Sequence, residues 1–445
     1  MAIKTKRMLS KTKSCSCSMP GVWRAAAYCS GAAVIFHSPR ACAHVARSMD
    51  ISAQYRALAN GAAENLKSIP VVSSMLQEKH SIFGGADRLR ACIEDVVNTY
   101  RPKCLIIANS CVAGVIGDDV EAVGKESEVK YGIPVLTVPC YGFLDGEYYQ
   151  GYFAVAEQLA ERFLHKQPKV ENTALLIGDN GGPWGHYAKE VKRLLAYFSI
   201  KVIGQFPGYV PINELPQITA ASFSIILGGR GQTYNGLTKI ARLLEMNYEV
   251  PYLQDGYPVG CVVGTANSSK SSLGWDNTVG WLRNLGVFLH QEALAEKAVV
   301  QEMDKLFAFA GKVKKITQGK RCVVCIGRML MYFHPAGILE TLSRLEMQVE
   351  AIILFDNYNP KERKLMVEAV SAQCQAPIID QTAGQQLLET VDLVLTTHEI
   401  TNNQDIKQIF LPMLPLVGTS GEIEFMDCIY KTLCRRGEKG GIVYV

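Results

Sequence analysis

No stretch of this 445-residue sequence is apolar for long enough to cross a bilayer. The longest apolar run near its start, Ala25 to Phe36, is too short and is interrupted by a Ser-Gly pair. The basic opening has no apolar core or small-residue cleavage site behind it, so no export signal and no membrane partner are expected. Charge of one sign is missing as well. The formal net charge is +4, and five positive charges (Lys4, Lys6, Arg7, Lys11, Lys13) fall within residues 1–13, which read as a solvated basic tail. Setting that tail aside takes the remainder to −1, which argues against a nucleic-acid-binding face. A secreted disulfide scaffold is excluded too. The 14 cysteines are spread through a long chain, whereas disulfide frameworks belong to small secreted domains. The expectation is a cytoplasmic protein with reduced thiols, most of them small core residues. There is no compact CxxC…CxxC pair, so any metal site must be assembled from distant segments.

What is present is a repeating pattern: a short apolar run, a Gly-containing turn, then an amphipathic helix. Runs beginning at Cys104, Ala174, Phe223, Cys322, Val349 and Val391 are each four to six residues long. That is short for a buried helix and apolar enough for a central parallel strand. Segments such as His186 to Phe198 read as helices with a basic outer face. The alternation predicts α/β architecture, with parallel, doubly wound, Rossmann-like sheets. Polar stretches at His165–Asn172 and Gly311–Lys320 read as linkers and divide the chain into three domains, 14–165, 170–310 and 318–445. The opening of the first domain, Cys15 to Ala46, is rich in Ala, Gly and Cys and reads as a ligand-presenting loop and helix rather than a sheet unit.

Four cysteines of the first domain sit in turn-rich surroundings. Cys17 precedes Met-Pro-Gly; Cys42 follows His37-Ser-Pro-Arg-Ala; Cys111 follows the strand from Cys104; Cys140 follows a second strand at Val138-Pro. Loops beyond the carboxyl ends of parallel strands are where ligands gather. Cys111 and Cys140 are expected on one rim, with the loop of Cys17 and Cys42 folding over it. Convergent soft thiolates select iron–sulfur clusters or zinc. Scattered core cysteines are the competing reading.

The strings CSCSMPG, AAAYCSGAAVIFHSPRACAH, IFGGADRL, NSCVAGVIGDDVEAV and VPCYGF together resemble the cluster-binding domain of nitrogenase component 1 and its relatives. The resemblance covers most of the chain and weakens in the last third. It implies the nitrogenase component 1 fold of three Rossmann-like domains. It also implies an iron–sulfur cluster, of 4Fe-4S or eight-iron type, bridging two subunits. The family's three ligand cysteines match Cys17, Cys42 and Cys111; Cys140 falls beside the cluster, and Cys15 is a substitute for Cys17. The implied partners are a second component-1-type subunit, identical or paralogous, and an ATP-dependent iron–sulfur reductase. The implied role is relay of low-potential electrons to a substrate site, with scaffolding of metallocofactor assembly as the alternative. A periplasmic-binding-like small-molecule binder is a third reading of the α/β pattern, and it predicts an export signal.

Departures narrow the resemblance. The family's catalytic subunit anchors an iron–molybdenum cofactor with a second-domain cysteine and a third-domain histidine. Their matching segments here, Ser224–Gly231 and Leu416–Gly421, hold neither. The segment Gly264–Ser271 approximates a P-loop but has Ser269 in place of the second glycine, so no ATP is expected on this chain. Cys322 and Cys325 form a CxxC within a strand, where an odd separation points them to opposite faces. Asp118 and Asp119 read as helix-capping carboxylates. His37 and His44 read as structural, and Arg40 as a charge near the cluster that favours its reduced state.

Overall fold

A strand whose every residue is apolar must be covered on both faces, which a sheet between two helical layers achieves. The computed structural model describes residues 17–59, 61–62, 67–141, 148–227, 232–253, 275–327, 335–354, 360–371, 375–397, 400, 406–411, 417–435 and 442–444. The basic tail, Cys15, Gly228–Gly231 and the near-P-loop therefore lie outside the described residues. Contacts divide the chain into two units, one within 13–254 and one within 255–445.

The first unit opens with α1 (Met19–Arg24), β1 (Ala32–His37), α2 (Arg40–Ala59), β2 (Val71–Ser73), α3 (His80–Phe83), α4 (Ala86–Tyr100) and β3 (Cys104–Asn109). It continues through α5 (Cys111–Ile116), α6 (Val120–Tyr131), β4 (Val135–Val138) and α7 (Tyr148–Phe163). All pairings in its first sheet are parallel, in the order β2-β1-β3-β4. Alternate residues serve the two cores. Val34, Phe36, Cys104 and Ile106 join one cluster, while Ala33, Ile35, Leu105 and Ile107 meet Leu89, Ile93 and Val96 of α4 in the other. The spacing of those α4 residues is that of one helix face, which explains why this segment is helical and how it docks.

The second sheet of this unit comprises β5 (Val170–Ile177), β6 (Lys201–Phe206) and β7 (Ala221–Ile226), in the order β6-β5-β7, with helices α8 (His186–Leu195) and α9 (Gln232–Tyr248). The other unit begins with α10 (Trp275–Phe288) and α11 (Glu292–Thr317). Its strands are β8 (Arg321–Ile326), β9 (Gln348–Leu354), β10 (Ile378–Asp380), β11 (Leu393–Thr396), β12 (Gln408–Phe410) and β13 (Ile442–Tyr444). Between them run α12 (Pro335–Arg344), α13 (Pro360–Ser371), α14 (Gln381–Leu388) and α15 (Gly418–Cys434). The parallel order β10-β9-β8-β11-β12-β13 is that of a doubly wound dinucleotide-type sheet. Cys322 and Cys325 of β8 enter different core clusters, as their odd separation requires. Among the described residues, no helix is long and apolar enough to cross a membrane.

Two expectations are corrected. The Ala-rich opening is a sheet unit after all. Residues 32–37 form β1, which pairs with both β2 and β3 at the centre of the first sheet and is buried throughout. Its two leading alanines lower its apparent strand character. The polar stretch Gly311–Lys320 is not a linker up to Thr317. It is the last part of α11, whose inner side buries Leu306, Ala310, Val313 and Thr317 while the lysines face outward. Polarity there marks an outer face, not a break.

Candidate functional site

A doubly wound sheet leaves a crevice where strand order reverses, because successive loops leave to opposite sides. In the first sheet β1 leads to β2 on one side, and β3 lies on the other, so the reversal falls between the carboxyl ends of β1 and β3. Cys42 is the third residue of α2, following β1, and Cys111 is the first residue of α5, following β3. Burial pushes the Cys42 thiol up, a hydrogen bond from Ser38 opposes this, and the neighbouring Cys111 pushes it up further. Cys17 immediately precedes the Ser18 cap of α1. Cys17, Cys42 and Cys111 are all half-buried, whereas Cys29, Cys92, Cys104, Cys322 and Cys325 are core residues. Burial raises Cys92 to about 11 and Cys29 to about 12, so these thiols stay protonated.

Cys140 is more enclosed than the other three. It follows β4, and its Sγ donates to the Asn109 carbonyl at 3.4 Å and lies 3.6 Å from Sδ of Met19. It therefore joins the end of β3 to the start of α1, beside Cys17. Among the described residues, no three His, Cys, Asp or Glu side chains gather closely enough to hold a single metal ion. Cys42, Cys111 and Cys140 follow the carboxyl ends of β1, β3 and β4, and Cys17 lies two residues before Met19, which meets Cys140.

A buried polar network fixes the crevice. The His37 carbonyl accepts from the Ser110 hydroxyl at 2.9 Å and the Ser110 amide at 3.2 Å. Ser110 also caps α5 by accepting from the Ala113 amide at 3.2 Å, which seats Cys111 against the end of β1. Asp119 caps α6 as expected, accepting from the Ala122 amide at 2.9 Å. Asp118 does not cap. Its carboxylate accepts from His37 Nε2 at 2.8 Å and from the Gly85 amide at 2.7 Å. Because that carboxylate only accepts, Nε2 carries the proton, and Nδ1 accepts from the Ser74 hydroxyl at 2.9 Å. Burial holds the His37 pKa below 6.5 against the pull of Asp118. His37 is thus structural; His44 and Arg40 are exposed on α2.

A second support escaped the sequence reading. Arg24, the last residue of α1, donates from Nε and Nη2 to Asp179 Oδ2 and Oδ1 at 2.7 and 2.9 Å. Tyr209 donates to the same carboxylate and accepts from Arg24. The guanidinium lies 5.5 Å from the ring centres of both Tyr28 and Tyr209, with Trp184 edge-on to the two rings. Asp179 comes from the loop after β5, and Tyr209 from the loop after β6. No local pattern announces a pair 155 residues apart. The Gly-rich turn Gly178-Asp-Asn-Gly-Gly was the available signal, since Gly182 leaves room for the Tyr209 ring, 2.6 Å from where a Cβ would sit.

Comparison with known proteins gives these features a context. The family described as nitrogenase component 1 type oxidoreductase matches residues 17–434. The nitrogenase iron-molybdenum cofactor biosynthesis protein NifE of Clostridium pasteurianum is 25% identical over 308 residues, covering 68% of this chain and 61% of that protein. The nitrogenase molybdenum-iron protein alpha chain of Methanosarcina barkeri is 24% identical over 280 residues, covering 61% of this chain and 48% of that one. The chain thus spans about half to three-fifths of these curated relatives. The solved structure titled nitrogenase Cp1 at pH 5 superposes with a TM-score of 0.60 at 16% identity, covering 95% of this chain and 88% of that chain, and so shares its fold.

Proposed function

The chain belongs to the nitrogenase component 1 type oxidoreductase family, and from that premise we propose that it is the iron–sulfur-binding subunit of a nitrogenase-like oxidoreductase. In this reading Cys17, Cys42 and Cys111 are the ligands, Cys140 lies beside them, and a second component-1-type subunit completes the site. When bound, the cluster supplies one-electron transfer at low potential, between an ATP-dependent iron–sulfur reductase and a substrate site. The observation that carries the reading is the placement of Cys42 and Cys111 after the two strands that flank the reversal point of the first sheet.

The donor set fits such a group. Thiolates are the ligands an iron–sulfur cluster takes, and a cluster spreads its irons, so its ligands need not meet at one point. Three cysteines leave a four-iron cluster one ligand short, which a partner would supply. The Ser18 hydroxyl, fully buried beside Cys17, has no hydrogen-bond partner among the described residues and is a donor that a sulfide could satisfy. Ile82, Phe83 and Val115, on the adjacent helices α3 and α5, are strongly exposed beside Cys111, which suits a face covered in an assembly. The chain's own work is to hold three thiolates in register and to keep water from the inner side of the rim.

One observation favours a scaffold that holds a metallocofactor precursor without turnover. The segments Ser224–Gly231 and Leu416–Gly421 lack the family's cofactor-anchoring cysteine and histidine, and a similar relative is a cofactor biosynthesis protein. Both readings need the same cysteines. Anaerobic purification with iron and sulfide analysis tests them together. Cys17→Ala, Cys42→Ala and Cys111→Ala each lose most of the iron, and Cys140→Ala keeps a cluster with altered redox behaviour. Cys104→Ala, Cys322→Ala and Cys325→Ala retain iron at a cost of about 1–2 kcal/mol. Full iron in Cys42→Ala and Cys111→Ala would overturn the proposal. Electron uptake from an ATP-driven reductase, followed by substrate turnover, separates the oxidoreductase from the scaffold.

A further inference from the structure

The proposed ligands stand on two separate supports. Cys42 and Cys111 follow the ends of β1 and β3, which the His37, Ser110 and Asp118 network ties together. Cys17 is attached to α1, a helix of 6 residues. So short a helix has almost no stability of its own and keeps its shape only through what it touches. Its middle presses on α7: a Cβ on Gly21 would lie 1.8 Å from the Tyr148 carbonyl oxygen, and one on Gly151 2.2 Å from that of Ser18. Its far end is held by loops of the second sheet. Arg24 is gripped by Asp179 and Tyr209, and just beyond it the Tyr28 amide donates to the Gly208 carbonyl at 3.0 Å. Cys29 Sγ then donates to the Val210 carbonyl at 2.8 Å.

We infer that Asp179, from the second sheet, is a positioning residue for Cys17 in the first. The Arg24 side chain is only 10% exposed, so loss of its carboxylate partner takes a two-bonded ion pair away from a buried charge. The cheapest relief is to free the end of α1, and opening of α1 exposes the cysteine at its start. Cys111 is untouched by this, because the Ser110 network remains, and Cys42, on a helix that also packs against α1, keeps its tie to the end of β1. The inference rests on the proposed function only for the role of Cys17 as a ligand.

The test uses the full-length, metal-free protein, with folding verified by circular dichroism. Iodoacetamide alkylation of Cys17, Cys42 and Cys111 is followed by peptide mass spectrometry. Asp179→Asn raises the Cys17 rate roughly tenfold and leaves the other two within about twofold. Tyr209→Phe keeps the ring stack but removes the phenol, and gives a smaller selective rise of roughly twofold to threefold. It carries the test if Asp179→Asn does not fold. Asp118→Ala does the converse, raising Cys42 and Cys111 and sparing Cys17. An unchanged Cys17 rate in the folded variants, or an equal rise at all three cysteines, would overturn the inference. Because the readout is a thiol rate without iron, a wild-type protein that binds no iron refutes the proposed function and leaves this result standing.

Discussion

His37 Nε2 lies 2.8 Å from Asp118 Oδ2, with side-chain exposures of 0% and 5%. The contact ties the last residue of β1 to the turn before α6, directly beneath the crevice. Burial holds the His37 pKa below 6.5, so the folded protein keeps this imidazole neutral at pH values where the unfolded chain takes up a proton. The sign follows. The contribution is complete above about pH 6.5 and is lost as pH falls below it, with a slope of at most ~1.4 kcal/mol per pH unit from this one group. Urea midpoints at pH 7.5 and 5.5, for wild type and His37→Gln, measure it. Equal slopes in the two proteins would assign the effect elsewhere.

Asp118 tolerates one replacement and not another. In Asp118→Asn the amide oxygen can still accept from Gly85, and its nitrogen can donate to His37 once the imidazole switches tautomer. The expected loss is about 1 kcal/mol. Asp118→Ala strands the Gly85 amide and the imidazole together and costs about 2–4 kcal/mol. Denaturant unfolding of the two variants checks the order.

Two glycines test packing against backbone freedom. Gly117 has φ +82° and meets nothing within 4 Å among the described residues, so Gly117→Ala pays mainly for its left-handed conformation, about 1 kcal/mol. Gly21 meets the α7 backbone, which cannot yield as a side chain would. Gly21→Ala should cost about 3 kcal/mol or more and raise the alkylation rate of Cys17. A neutral Gly21→Ala would mean that α1 and α7 separate freely.

Assembly should depend on the cluster. With three cysteines on one chain, the cluster-loaded protein is expected to sediment as a dimer or larger, and Cys42→Ala is expected to shift it toward monomer. Anaerobic ultracentrifugation of both proteins reads this directly. An iron-loaded monomer would show that all ligands come from one chain.

The strands that contain the apolar runs from Cys104, Ala174, Phe223, Cys322 and Val349 were legible because short runs rich in β-branched residues and leucine have few other uses. β1 was not, because Ala32-Ala33 looks neutral on its own and becomes a strand only between β2 and β3. The carboxyl-end placement of Cys111 and Cys140 followed from chain order. The enclosure of Cys140 against Met19 did not, since it depends on how α1 returns across the sheet. Asp118 and Asp119 look equivalent side by side, yet one caps a helix and the other faces a histidine 81 residues away. Local chemistry predicts the cap. Only the assembled sheet selects the histidine.

The position of β1 has a consequence for the order of events during synthesis. A parallel strand cannot begin as a hairpin with its neighbour, so residues 32–37 wait for Cys104–Asn109 to emerge from the ribosome before their second edge is filled. At roughly 5–20 residues per second, that interval lasts seconds. Throughout it the segment bearing Cys17 and Cys42 is nascent chain without a finished sheet beneath it, and its thiols are open to any oxidant or metal nearby. The proposed loading of the rim is therefore expected to be a late event, after Cys111 has taken its place, and to require that those two thiols stay reduced until then.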